Sequence, residues 1–255
     1  MISILVLAAF IQVDDRPDFL LDPGNLGLSL GYGASIHATE DFIFVSSPAF
    51  AGGAERPGKV DVWRVGRSGY EHVQELTPTA CFTTGTNACL FATEIASSAG
   101  WLALSSLGGD PLQASTAGLV HLYRLAGDEW RLQQILRPVP HAAPVSTGFG
   151  AALSIDGDEL LVGASGFRSG SGRRGAIHEY RLDPAMGAVL QGSLTAPIGS
   201  DEAFGRRIAR SGNLLAVGAL FSVGSVSVFE RSGAGWSLLQ ILERPLGSSL
   251  DYRFG

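Results

Sequence analysis

The chain has 255 residues, 45% hydrophobic and 16% charged, a balance that lets it bury a sizeable core and excludes the disordered class. A net charge of −6 and a pI near 5.3 argue against a nucleic-acid partner, which calls for a basic face to replace the counterions on phosphate. With 34 glycines and no clustering of strong helix formers, the composition points to many short strands joined by tight turns.

The first element is an apolar run from Met1 to Ile11, too short to span a bilayer. It matches the apolar region of an export signal, with Ala8 and Ala9 as small residues near a cleavage point, so residues 1–12 are read as a signal peptide and the protein as secreted or displayed at the cell surface. No Lys or Arg precedes the run, and a buried first strand is the alternative. No later segment is long and apolar enough for a membrane span. Within 13–31, Phe19-Leu20-Leu21-Asp22-Pro23 has the pattern of a lone closing strand.

From residue 32 onward the chain repeats. The pairs Tyr32-Gly33, Phe91-Ala92, Phe149-Gly150, Phe204-Gly205 and Phe254-Gly255 recur at spacings of 59, 58, 55 and 50 residues. Four residues after each of the first four aromatics stands Ile36, Ile95, Leu153 or Ile208, and fourteen after them a small residue, Ser46, Ser105, Gly163 or Gly218. Further on, a glycine opens an alternating run ending in an aromatic: Gly58 to Trp63, Gly118 to Tyr123, Gly175 to Tyr180, Gly224 to Phe229. Each unit closes on Pro78, Pro138, Pro197 or Pro245. The repeats are therefore 32–90, 91–148, 149–203 and 204–253, with a fifth beginning at 254.

Each repeat parses into four strands. In the third they are placed at Ala151–Ile155, Leu160–Ala164, Ala176–Leu182 and Val189–Leu194, with Asp156-Gly157-Asp158 as a tight turn between the first two. The second strand is apolar on both faces, as in Leu160-Leu161-Val162, which fits a sheet stacked between neighbours. The fold class is all-β: a propeller of four-stranded antiparallel blades, four of them complete. A β-sandwich, with polar outward positions, is the alternative.

Phe149-Gly150 with Gly163-Ala164, and Phe204-Gly205 with Gly218-Ala219, resemble the FG-GAP repeat of integrin-α-like propellers, chiefly its bacterial members. Tyr32-Gly33 with Ser46-Ser47-Pro48 and Phe91-Ala92 with Ser105-Ser106 depart further from it. The resemblance implies about seven blades, hence a chain truncated at its C-terminus, and a non-catalytic adhesion module binding an extracellular protein or glycan. Family members hold calcium in some turns between the first two strands. Here those turns are too short and too poor in carboxylates, so no cofactor or metal is expected.

Cys81 and Cys89 bracket a short loop with Gly85 in its middle, a spacing that suits a disulfide in an exported protein, with a reduced pair as the alternative. His121 and His178 occupy equivalent places in the third strand and are read as polar packing residues between blades, bonded to backbone. Gly27-Leu-Ser-Leu-Gly31 fits the hydrolase G-x-S-x-G pattern without the strand–turn–helix it needs. Gly53 to Lys59 approaches a P-loop, but Val60 stands where the magnesium-holding hydroxyl would be. Arg168, Arg173 and Arg174, with Arg206 and Arg207, are the candidate ligand-face residues. The competing functional class is a propeller enzyme with a channel-centred site. It draws on the inner-strand pairs Ala34-Ser35, Thr93-Glu94, Ala151-Ala152 and Arg206-Arg207, among which Glu94 is the one acid or base.

Overall fold

A computed structural model describes residues 31–48, 58–67, 69–79, 90–107, 118–138, 147–168, 174–197, 203–219, 224–233 and 235–243. These form sixteen strands. The first sheet holds β1 (Ile36–Ala38), β2 (Phe42–Ser47), β3 (Lys59–Gly66) and β4 (Gly69–Leu76). The second holds β5 (Phe91–Ser98), β6 (Trp101–Ser106), β7 (Leu119–Ala126) and β8 (Glu129–Leu136). The third holds β9 (Phe149–Asp156), β10 (Glu159–Arg168), β11 (Arg174–Asp183) and β12 (Gly187–Thr195), and the fourth β13 (Phe204–Ser211), β14 (Leu214–Ala219), β15 (Ser225–Ser232) and β16 (Gly235–Glu243). Within each sheet consecutive strands pair antiparallel. The first strand of each sheet neighbours the first strand of the next, so β1, β5, β9 and β13 run side by side. This is the arrangement of propeller blades around an inner line of strands. Strands of the third repeat run a few residues past their sequence-based limits, because the hairpins continue pairing up to their turns. No described helix is long and apolar enough to cross a membrane.

The recurring residues mark the joint between adjacent sheets. Phe91, Phe149 and Phe204 are fully buried. The carbonyl oxygen of Phe149 lies 2.1 Å from where a Cβ on Gly118 would stand, and that of Phe204 lies 2.1 Å from the same point on Gly175. Gly175 also makes a parallel bridge to Phe204, a hydrogen-bonded link from the third sheet to the fourth. The small residue of the next strand serves the same approach: a Cβ on Gly163 would stand 2.1 Å from the Gly205 carbonyl oxygen. The residue after each aromatic takes a positive φ, 86° at Gly150 but also 58° at Ala92, where the second repeat has no glycine.

Alternate side chains of each sheet face opposite neighbours, and three cores result. Phe42, Phe44, Val60 and Val62 meet Phe91, Leu104 and Trp130 between the first two sheets, with Trp130 edge-on to both phenylalanines. Trp101, Val120 and Leu122 meet Phe149, Leu160 and Leu182 between the second and third. Leu161 and Ile177 meet Phe204, Leu215 and Phe229 between the third and fourth.

His121 and His178 are buried in the cores between sheets, as the sequence suggested, on the same strand faces as Tyr123 and Tyr180. Each packs on an aromatic of its own sheet: His121 edge-on to Phe91 at 5.2 Å, His178 against Phe149 at 5.8 Å and Phe167 at 5.3 Å. Their Nδ1 atoms meet serine hydroxyls, Ser106 at 3.4 Å and Ser193 at 2.7 Å. Asp61 and Ser227 hold the equivalent position in the first and fourth sheets, so all four repeats bury a polar group there.

Two consequences can be measured. Gly175→Ala adds a backbone clash to left-handed strain and is expected to cost at least ~2 kcal/mol in urea unfolding. Gly157→Ala, whose Cβ would meet nothing within 4 Å, carries only the strain and should cost about 1 kcal/mol. Burial pushes His121 and His178 down to about 4. An unfolded histidine binds a proton near pH ~6.5, so between that value and about 4 the unfolded chain holds more protons than the native one. Stability is therefore full above this window and is lost as pH falls through it. The urea midpoint should follow, with a shallower slope in the His121→Gln/His178→Gln variant.

Candidate functional site

The inner strands are bulged just after the aromatic. The register shifts between Phe91 and Ile95, between Val162 and Ala164 opposite β9, and between Phe204 and Arg207. A bulge re-aims side chains and raises local twist. The residues in or beside it, three places after each aromatic, are Ser35, Glu94, Ala152 and Arg207. Where the second strand supplies a serine, its hydroxyl holds the inner strand: Ser46 Oγ accepts from the Ser35 N–H at 3.0 Å, and Ser105 Oγ from the Glu94 N–H at 2.9 Å. Ser105 Oγ also bonds Thr93 Oγ1 at 3.0 Å.

Arg207 donates from Nη1 to the Glu94 carboxylate at 2.7 Å. The pair joins the second and fourth sheets across the third, whose equivalent residue is the buried methyl of Ala152. Burial pushes the Glu94 carboxyl above its ordinary value, while the charges of Arg207 and Arg206 pull against that rise. His37, in β1, is lowered by burial and is also engaged by the Ser97 backbone of β5. The result is one carboxyl with a raised pKa and two guanidinium groups close by, on strands from separate repeats. A carboxyl whose pKa is raised is a better base once ionised, and guanidinium groups stabilise negative charge developing beside it. Among the described residues no three His, Cys, Asp or Glu side chains cluster so as to hold a metal ion.

The other expected site residues are elsewhere. Arg168 and Arg174 are register partners where the β10–β11 pairing ends, Arg174 directly before the Gly175 that bridges Phe204, and Arg173 lies outside the described residues, as do Cys81, Cys89, Phe254 and residues 1–30. Arg207 joins Glu94, with Arg206 beside it.

No family model matches the chain, and no curated protein matches it. Among solved structures it is similar to a candidate 6-phosphogluconolactonase from Bacteroides uniformis, with a TM-score of 0.58 and 10% identity over 84% of this chain and 57% of that one. A protein from Lactobacillus plantarum scores 0.49 at 14% identity, covering 80% and 54%, and Hsv2p of Kluyveromyces lactis 0.44 at 15%, covering 77% and 48%. The chain thus spans about half the length of these proteins.

These findings correct the FG-GAP and integrin-α-like resemblance. The fold likeness is to a lactonase-type protein, and no FG-GAP family model recognises the repeats. The physical reason lies in the joint. A buried aromatic, a left-handed residue after it and a small residue opposite are what close stacking of four-stranded sheets demands, so they signal packing and not kinship. The non-catalytic adhesion role inferred from that resemblance falls with it. The disulfide expected from the spacing of Cys81 and Cys89 finds no support, as both cysteines lie outside the described residues.

The charge arrangement makes a direct prediction. Removing the guanidinium in Arg207→Ala should raise the Glu94 pKa further, because Arg207 is the main charge opposing burial. Carboxyl-carbon NMR titration of the two proteins reads it; an unchanged or lower value would contradict the pairing.

Proposed function

We propose that this chain carries the site of a propeller-type hydrolase acting on a lactone or small carboxylic ester, placed where the inner strands converge. The observation that carries the reading is the meeting of Glu94 and Arg207, 113 residues apart in sequence, across the intervening strand. The likeness to a lactonase-type fold supports the enzyme class and, being a likeness of fold, leaves the chemistry to the residues.

In this reading ionised Glu94 takes a proton from water, whose oxygen attacks the carbonyl carbon. Arg207, with Arg206 near it, stabilises the oxyanion of the tetrahedral intermediate. The carbon–oxygen bond of the ester then breaks, and the departing alkoxide receives the proton from Glu94. The net change is addition of one water across the ester bond, with Glu94 restored. Ala152 keeps the space between acid and guanidinium free of a competing side chain.

A pH-stat screen of five- and six-membered lactones and short esters tests the proposal. Turnover is expected on at least one lactone, and Glu94→Gln, which keeps shape but cannot take up a proton, should lower kcat/KM by about 100-fold or more. Absence of turnover across the screen, or full activity in Glu94→Gln, would overturn it.

A further inference from the structure

A second polar feature lies about four residues further along the inner strands, roughly 13 Å away at strand rise. It is a cavity of about 470 Å³ between the third and fourth sheets, near the β9–β10 turn. The two sheets touch at the Gly175–Phe204 bridge and pair no further, so β11 and β13 part toward this end. Every residue around the cavity carries a polar side chain, with Asp156, Asp158, Glu159, Glu179, Gln191 and Arg231 prominent among them.

The repeat supplies its own control. Between the first two sheets, Phe42 and Val62 face Leu125; between the next two, Trp101 and Leu122 face Leu182. The aligned positions between the third and fourth sheets are Glu159, Glu179 and Arg231. Arg231 bonds both carboxylates, Glu179 at 2.7 Å, and Arg210 approaches Glu159 at 2.5 Å. Trp236 lies beneath both guanidinium groups, at 5.5 and 5.1 Å. Apolar side chains stabilise such an interface at least as well as an ion-pair network does. Three coordinated departures from an apolar pattern are the kind of local exception that functional sites produce.

The floor of the cavity is charge-compensated. An ionic ligand would have to break one of these pairs and strand its partner. What remains open is hydrogen-bonding capacity: the rim carboxylates Asp156 and Asp158, both more than half exposed and each held by one arginine only at long range (Arg210 at 3.4 Å, Arg181 at 3.5 Å), and the Gln191 carbonyl oxygen, whose amide group is turned to Val189 O. Burial and the neighbouring Glu159 push the Glu179 carboxyl up, while Arg231 pulls against that rise. Mixed donors and acceptors, four carboxylates set against three guanidinium groups that pair with them, and a volume within the range of small-ligand clefts fit a molecule rich in hydroxyl groups.

We propose that the cleft between the third and fourth sheets binds a neutral polyhydroxylated molecule, a saccharide of one or two rings. This does not rest on the hydrolase reading, and its test does not involve turnover. Methyl α-D-glucopyranoside, maltose, spermidine and inorganic phosphate are each titrated into the labelled full chain, following the Gln191 side-chain amide and the backbone amides of 156–159 by NMR. Saturable shifts with a sugar, unchanged at high salt, are expected. Asp158→Ala and Gln191→Ala, both at the rim, should weaken binding at least about fivefold, the loss of one hydrogen bond. The variant Glu159→Trp/Glu179→Leu/Arg231→Leu, which restores the apolar pattern of the neighbouring interface, should lose the shifts. No shift with either sugar, shifts confined to spermidine or phosphate, or full binding in both rim variants would overturn the proposal.

Discussion

The structure depends on one close approach: the carbonyl oxygen of an inner-strand phenylalanine against a glycine of the preceding sheet, at Gly118 and again at Gly175. No side chain fits there, so the sheets meet backbone to backbone at one end. That contact fixes their separation and seats each phenylalanine ring in the core between sheets. It also forces the residue after the ring into the left-handed region and bulges the strand beyond it. The bulge in turn presents the third residue, which is charged at Glu94 and Arg207 and a methyl group at Ala152. A packing constraint thus selects which positions are free to vary.

Much of the fold was legible because this constraint recurs. The aromatic, the glycine and the small residue opposite are needed in every copy, and their register showed in the sequence before any strand was placed. The same regularity misled the assignment of kinship, since residues required by stacking say little about ancestry. It placed His121 and His178 between sheets, but did not show the way each ring folds back on the phenylalanine of its own sheet.

The candidate site was legible only in part. Glu94 stood out as the one acid among the inner-strand pairs, and Arg207 stood in the same set, but their contact did not show. Arg207 reaches it across a whole repeat because the intervening position is an alanine, and that is a property of three strands together. The charged cleft was missed for a different reason. Glu159, Glu179 and Arg231 look ordinary within their own strands, and become unusual only when the alternation of each strand is followed to learn which faces meet. The signal was present as a break in the repeat, apolar in two interfaces and charged in the third.

The two polar regions illustrate different uses of the same scaffold. At the inner strands polar residues sit where the bulge already removes them from the core, so Glu94 and Arg207 displace no apolar contact. Between the third and fourth sheets, charges replace side chains that elsewhere form the core, and Trp236 supports guanidinium groups where Trp130 packs on phenylalanine rings. Such a replacement is tolerable because the joint at Gly175 and the cluster around Phe204, Phe229 and Leu215 still hold the sheets together at their other end. An interface anchored at one end by backbone contact can give up hydrophobic closure at the other. There the gap left between the sheets has the walls, the charge balance and the volume of a binding site.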